Sequence, residues 1–220
     1  MFTGLIQDLG RIEAVRRRGG GTSLAISTAL DLRSFKVGDS MAVDGVCLTM
    51  VELSEHVFTA EVSPETLRRS TLGEAREGRR VNLEAPLRLS DPLGGHLVAG
   101  HVDGIGEILR VSREGESFRY RFRVPAEVGR YLIEKGSVAV DGISLTVAER
   151  ETEEFEAAVL PHTAAVTTLG RKGAGERVNL EADMIAKYVE RFLGQQGERR
   201  RESRISPEFL ARHGFLEGTE

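Results

Sequence analysis

Two short stretches of the chain carry the same arrangement of small polar groups. Cys47 and Thr49 alternate with Val46, Leu48 and Met50, and Ser144 and Thr146 alternate with Ile143, Leu145 and Val147. Alternation with a period of two describes a strand with one apolar face, and it sends both polar side chains to the opposite face. A thiol or hydroxyl beside a threonine can exchange hydrogen bonds with the edge of a heteroaromatic ring, although threonine is also a good strand former in its own right. Histidine adds a group that exchanges protons near neutrality. His101 is the candidate, because it stands where the matching part of the chain has Leu5. Ser144 likewise replaces Cys47, His162 replaces Glu65 and Asp183 replaces Pro86. Identical sites would suffice for two molecules handled alike, so these selective differences point to two like molecules handled differently.

The elements that must position these groups are themselves written twice. At an offset of 97, Ala42–Ala85 runs without a gap onto Ala139–Ala182, with 22 identities in 44 pairs. Unrelated segments would match at about one position in sixteen, so the chain contains a duplication. The shared words are AVDG, LT and VNLEA, and at an offset of 96 Gly4, Gly10 and Ile12 meet Gly100, Gly106 and Ile108. The units are too long for solenoid repeats, which predicts two domains, 1–96 and 97–184, followed by a separate segment 185–220. Asp44-Gly45 and Asp141-Gly142 predict tight hairpins, joining Met41–Val43 to VCLTMVEL and Val138–Val140 to ISLTVAER. Further strands are expected at Ile6–Val15, Thr22–Ser27, Val57–Val62, Val102–Val111, Ser117–Val124 and Phe155–Leu160, with short helical insertions at Pro64–Leu72 and Pro161–Leu169. Many short antiparallel strands in a small unit favour closure, which removes exposed edges, so the expected fold class is all-β with two similar barrels in tandem. After the repeats, Ile185, Tyr188, Val189, Phe192 and Leu193 recur at helical spacing. That apolar stripe needs cover, from its own barrel or from the same helix in other subunits.

Composition narrows the classes of function. The 220 residues are 40% hydrophobic and 29% charged, with a net charge of -4, the balance of a globular chain. No apolar run reaches the roughly 18–20 residues that cross a bilayer, and MFTGLIQDLG lacks a secretory pattern, so a cytoplasmic location without a membrane partner is expected. The single cysteine excludes an intrachain disulfide, and His96, His101 and His162 follow no metal-ligand spacing, so no metal is expected. Phosphate-loop, dinucleotide and nucleophile-elbow motifs are absent, and Gly19–Gly21 reads as a flexible turn. The basic run Arg199, Arg200, Arg201 and Arg204 has no interleaved aromatic and is interrupted by Glu202. It reads as a helix face, and no nucleic-acid partner is expected.

Several of these words together resemble the alpha-chain family of riboflavin synthase. They are MFTGL at Met1–Leu5, AVDGVCLT at Ala42–Thr49, GGHLVAGHVDG at Gly94–Gly104, VDGISLT at Val140–Thr146, PHT at Pro161–Thr163 and both VNLEA words. The likeness spans Met1–Leu193, and ISPEFLARHGF at Ile205–Phe215 is similar to an extension found in the family. The resemblance implies two six-stranded barrels and a C-terminal helix that associates into a homotrimer. It implies conversion of two molecules of 6,7-dimethyl-8-ribityllumazine into riboflavin and 5-amino-6-ribitylaminouracil, by transfer of a four-carbon unit without metal or redox cofactor. It further implies a site between the N-terminal barrel of one subunit and the C-terminal barrel of a neighbour, and association with lumazine synthase. The family pattern matches at Phe2, Thr3, Ser40, Cys47, Thr49 and Thr66, and at His101, Lys135, Asp141, Ser144, Thr146, Thr163 and Asp183. Under this reading His101 and Ser144 remove a proton from the 7-methyl group. Ser40, Cys47 or a water between them serves the addition at C7 of the other ring. Thr49 and Thr146 bind the rings, and Asp183 orients a ribityl or ring contact. A chromophore carrier with the same barrels but no turnover is the alternative, and it would be expected to lose the polar set in one barrel.

Overall fold

The computed structural model describes residues 1–18, 21–201 and 207–215; Gly19 and Gly20 of the expected turn, and Arg204 of the basic run, lie outside them. Residues 1–184 make one compact unit and 185–220 another. The first unit holds two closed antiparallel barrels. Strands β1 (Asp8–Arg18), β2 (Gly21–Ser27), β3 (Ser40–Val43), β4 (Val46–Leu53), β5 (Val57–Val62) and β6 (Arg80–Glu84) close in the order β1-β2-β5-β4-β3-β6. Strands β7 (Gly104–Glu114), β8 (Ser117–Arg123), β9 (Ser137–Val140), β10 (Ile143–Arg150), β11 (Glu154–Val159) and β12 (Arg177–Ala182) repeat that order.

The hairpins form as the sequence requires. Asp44 and Asp141 both have φ 46°, and Gly45 and Gly142 both have φ 78°, the left-handed pair that a two-residue turn with strand-matched twist demands. Helix α1 (Pro64–Arg69) and α3 (Pro161–Val166) each lead into a one-turn 3-10 helix, Thr71–Glu74 and Thr168–Arg171. The four-residue α2 (Ala126–Gly129) was not expected. Strand β6 and its copy β12 carry the VNLEA words, yet the alternation test does not find them. Val81, Asn82, Leu83 and Glu84 are all buried, because one face lines the barrel and the other faces the second barrel. Each barrel fills its interior with the apolar side of its strands. In the second, Phe122 stacks between Tyr120 and Phe155 at centroid distances of 5.8 and 4.9 Å, and the Tyr120 hydroxyl donates to the Leu169 carbonyl.

The barrels meet through reciprocal polar contacts, the signature of a two-fold arrangement. The Asn82 side chain donates to the Asp141 carbonyl at 2.9 Å and accepts from the Thr168 N–H at 2.7 Å. Asn179 returns both bonds, to the Asp44 carbonyl and from the Thr71 N–H, each at 2.7 Å. Asp44 and Asp141 are fully buried and accept from the Asn82 and Asn179 N–H groups, each at 2.8 Å. Their outer oxygens meet Arg79 at 3.0 Å and Lys172 at 2.6 Å. The two turns touch so closely that a Cβ on Gly45 would lie 2.6 Å from the Gly142 nitrogen.

Two leading segments then cross between the barrels. Phe2 and Val98 pair as an antiparallel bridge. The Glu84 carboxylate accepts from the Thr3 N–H and hydroxyl and from the Gly4 N–H, while Glu181 accepts from the Ala99 and Gly100 N–H groups. The Gly4 carbonyl in turn receives the Ser144 N–H, and the Gly100 carbonyl receives the Cys47 N–H, both at 2.8 Å. Each crossing segment therefore lies on the functional strand of the opposite barrel.

In the second unit, α4 (Met184–Arg201) and α5 (Pro207–Arg212) are helical. The expected stripe on α4 is exposed, with Ile185, Tyr188, Val189, Phe192 and Leu193 each at least half accessible and the Tyr188 and Phe192 rings stacked.

Burial, followed by the charge of Asp141, pushes the Asp44 carboxyl up to about 6. The native state then holds a proton that the unfolded chain releases at about pH 4, so this group's contribution to stability is present below pH 4 and lost as pH rises through about 6. Relative to Asp44→Asn, the wild-type chain is expected to lose about 2–3 kcal/mol of unfolding free energy between pH 4 and pH 7. Urea titrations of both proteins at the two pH values check this, and parallel pH dependence would overturn it.

Candidate functional site

The strand register gathers the polar residues on the outside of each barrel. Ser40 pairs with Thr49 and Ala42 with Cys47, while Ser137 pairs with Thr146 and Ala139 with Ser144. Leu48, Met50, Leu145 and Val147 point into the cores, whereas Cys47 and Ser144 are half-buried and Thr49 and Thr146 exposed. The split between an apolar and a polar face follows from the period-two pattern.

On the second barrel this face deepens into a cleft of about 310 Å³ lined by Lys135, Ser144, Thr146 and Thr163 among others. Lys135 adopts φ 63°, where the first barrel has Gly38 at φ 98°. A long side chain in the left-handed region is uncommon and is held there by its surroundings, here by the Lys135 N–H bond to the Val147 carbonyl. Ser63 caps α1 by accepting from the Thr66 N–H at 3.1 Å, and the Ser63 and Thr66 hydroxyls lie 2.9 Å apart. Leu160 replaces that serine ahead of α3, so the Thr163 hydroxyl has no such partner among the described residues. Ala158 likewise replaces the exposed Glu61. The residues lining the second cleft therefore include an ammonium group and no carboxylate, Asp183 lying outside that lining, whereas the matching positions of the first barrel carry the Glu61 carboxylate and no lysine.

Ser144 has a partner that comparison of the two copies missed. His96 Nδ1 lies 2.7 Å from Ser144 Oγ, and the residue is 8% exposed, with Nε2 lacking a partner among the described residues. Burial lowers the His96 pKa, an effect partly opposed by the Asp183 carboxylate. The ring is thus neutral at neutral pH and has a nitrogen able to accept a proton. Glycines permit this approach: a Cβ on Gly4 would lie 2.6 Å from Ser144 Cβ, and one on Gly95 would lie 2.1 Å from the Thr3 carbonyl oxygen. His96 falls at the register position before Met1 when the copies are aligned, so it has no counterpart whose difference could flag it.

Within the chain it is His96, and not the expected His101, that is hydrogen-bonded to Ser144. His101 is exposed and directly follows Gly100, whose carbonyl accepts from the Cys47 N–H of the first barrel. Phe2, Thr3 and Asp141, also expected at the site, make framework contacts within the chain. Phe2 is fully buried in an apolar cluster with Ala42, Val98 and Ala139, Thr3 is bound to Glu84, and both Asp141 oxygens are occupied between the barrels. The strand register brings Ser40, Cys47 and Thr49 together on the first barrel, and the cleft gathers Lys135, Ser144, Thr146 and Thr163 on the second, with His96 bonded to Ser144 and Asp183 acting on His96.

The chain matches the model of the lumazine binding domain twice, over residues 3–86 and 99–183. It is 41% identical over 215 residues to riboflavin synthase of Actinobacillus pleuropneumoniae, covering 98% of this chain and 100% of that protein. The chain belongs to the riboflavin synthase family. Within it, the enzyme of Bacillus subtilis (strain 168) is 37% identical across the same 98% of the chain, and that of Mycobacterium tuberculosis (strain CDC 1551 / Oshkosh) is 46% identical across 90%, each matched over its full length. Among solved structures, LumP complexed with riboflavin superimposes with a TM-score of 0.76 at 22% identity, covering 83% of this chain and 99% of that one. LumP complexed with 6,7-dimethyl-8-(1'-D-ribityl) lumazine gives 0.74 at 23% identity over the same shares. These likenesses establish the tandem-barrel fold.

The opposing influences on His96 give a direct test. Asp183→Asn removes the charge that favours the imidazolium, so the His96 pKa should fall further below its ordinary value in an NMR titration. An unchanged or higher value would dissociate Asp183 from this ring.

Proposed function

We propose that this chain is a riboflavin synthase, a transferase that converts two molecules of 6,7-dimethyl-8-ribityllumazine into riboflavin and 5-amino-6-ribitylaminouracil. The observation that carries the reading is the paired but chemically unequal polar faces of the two barrels. The same strand presents Ser144 backed by His96 in one and Cys47 in the other, beneath threonines at matched positions. Two identical substrates with different fates need that combination of likeness and difference.

The chemistry suits each face. The 7-methyl group of one lumazine is acidic because its carbanion delocalises into the ring, and neutral His96 can take that proton directly or through Ser144. The Lys135 ammonium, with the Thr146 and Thr163 hydroxyls, favours the charge that develops on the ring. On the first barrel Ser40, Cys47 or a water between them adds at C7 of the second lumazine, with His101 on the same side of the barrel. Thr49 and Thr66 complete that contact set, and Asp183 orients the second-barrel ligand through its charge near His96. Once both rings are activated, holding them face to face supplies much of the remaining acceleration.

Family membership and the uncovered α4 stripe support a homotrimer in the cytoplasm. In it the first barrel of one subunit would meet the second barrel of a neighbour, with 1–96 and 97–184 acting as the two lumazine-binding domains and 185–220 as the assembly segment. Phe192→Glu places a charge in the stripe and is expected to shift the protein to monomer in sedimentation, with loss of turnover; a variant that stays trimeric would overturn the assigned assembly face.

Incubating the purified protein with 6,7-dimethyl-8-ribityllumazine should yield one riboflavin for every two lumazines consumed. Saturable binding without turnover would instead identify a chromophore carrier. In single-turnover experiments His96→Gln is expected to slow the chemical step by about 10²-fold or more while lumazine binding persists. An unchanged rate would remove His96 from the proton transfer.

A further inference from the structure

A cleft of about 690 Å³ in the first unit is not on either polar face. It lies on the axis between the barrels, bordered by the Thr71–Glu74 and Thr168–Arg171 turns. Here the two-fold repetition of contacts breaks down. Glu74 of the first barrel forms an ion pair with Arg177 of the second. The symmetric counterpart would join position 171 to Arg80, but Arg171 stands where the first copy has Glu74. Two arginines therefore occupy the places of an ion pair, and neither has a carboxylate partner among the described residues. Arg80 makes one long bond to the exposed Leu9 carbonyl.

A second observation lies in the same cleft. Thr71 Oγ1 accepts from Arg79 Nη2 at 2.8 Å, but the residue matching Arg79 in the second copy is Glu176. Thr168, the counterpart of Thr71, is 3% exposed and lines the cleft, and its hydroxyl has no partner among the described residues. A buried hydroxyl without a partner is rare in a native structure and calls for a missing group.

We propose that this cleft is a binding site for a phosphate dianion, held by Arg171 and Arg80 with the Thr168 hydroxyl as a further donor. The planar forks of two guanidinium groups match the oxygens of a phosphate. Arg79, Lys172 and Arg177 are already paired with Asp44, Asp141 and Glu74, and Arg76, Glu77 and Glu176 also border the cleft. The uncompensated charge is thus small, which suits a compact dianion and not a polyanion such as nucleic acid. The volume exceeds that of inorganic phosphate, so a phosphate monoester with a small organic body fits the space better. Because the pairing is asymmetric, one ligand binds per chain. The site needs no lumazine, so its test is independent of the proposed catalysis.

The test is calorimetric titration of the full-length protein with inorganic phosphate and, separately, with ribose 5-phosphate, at ionic strength held constant with chloride. One saturable site per chain is expected, accompanied by a rise in unfolding temperature. Tighter binding of ribose 5-phosphate would identify the monoester as the ligand, and equal binding would identify phosphate itself. Arg171→Glu restores the symmetric ion pair with Arg80 and is expected to weaken binding at least about tenfold; Arg80→Gln should act in the same direction by removing the other fork. Absence of saturable binding to the wild-type protein, or undiminished binding to both variants, would overturn the proposal.

Discussion

The structure depends on the reciprocal bond between Asn82 and Asn179 and the turns they reach. Each asparagine leaves its own barrel, donates to the carbonyl of the opposite aspartate and accepts from a backbone N–H at the start of the opposite 3-10 turn. All of these groups are buried, so each would carry the full cost of desolvation if its partner moved away. Shape reinforces this constraint, since the turn glycines touch with no room for a side chain. The two barrels are thus fixed in one relative position, although each has a separate core.

That fixed position allows the leading segments to do their work. With the barrels locked, Glu84 and Glu181 hold backbone amides of the two crossings, and the glycines at 4 and 100 press onto Ser144 and Cys47. A segment that belongs to one barrel in sequence thereby completes the face of the other. It brings His96 to Ser144 and the Gly100 carbonyl, just ahead of His101, to Cys47. The polar faces are therefore products of the duplication as a whole.

Duplication followed by local divergence also explains how one scaffold treats two similar ligands differently. Lys135 for Gly38, Ala158 for Glu61 and Leu160 for Ser63 change charge and hydrogen bonding around the cleft while leaving the strand register untouched. Divergence at the axis has a comparable result. Arg171 for Glu74 and Glu176 for Arg79 leave the interface closed but its outer cleft asymmetric.

The sequence by itself determined the duplication, the hairpins at Asp44-Gly45 and Asp141-Gly142, the inward and outward faces of β4 and β10, and the apolar stripe on α4. These are local properties, set by turn geometry and by periods of two or 3.6 residues, so they can be read without knowing the neighbours. Tertiary structure alone decided that the VNLEA words are strands buried on both faces, because burial on both sides erases the alternation that marks a strand. It also decided that Asp141, Thr3 and Phe2 support the framework and that His96 serves Ser144. Those roles depend on contacts between residues far apart in the chain, 48 positions for His96 and Ser144, 59 for Asn82 and Asp141 and 81 for Thr3 and Glu84. Such contacts leave no local periodicity to read, and they exist only once two closed barrels bring their crossing segments together.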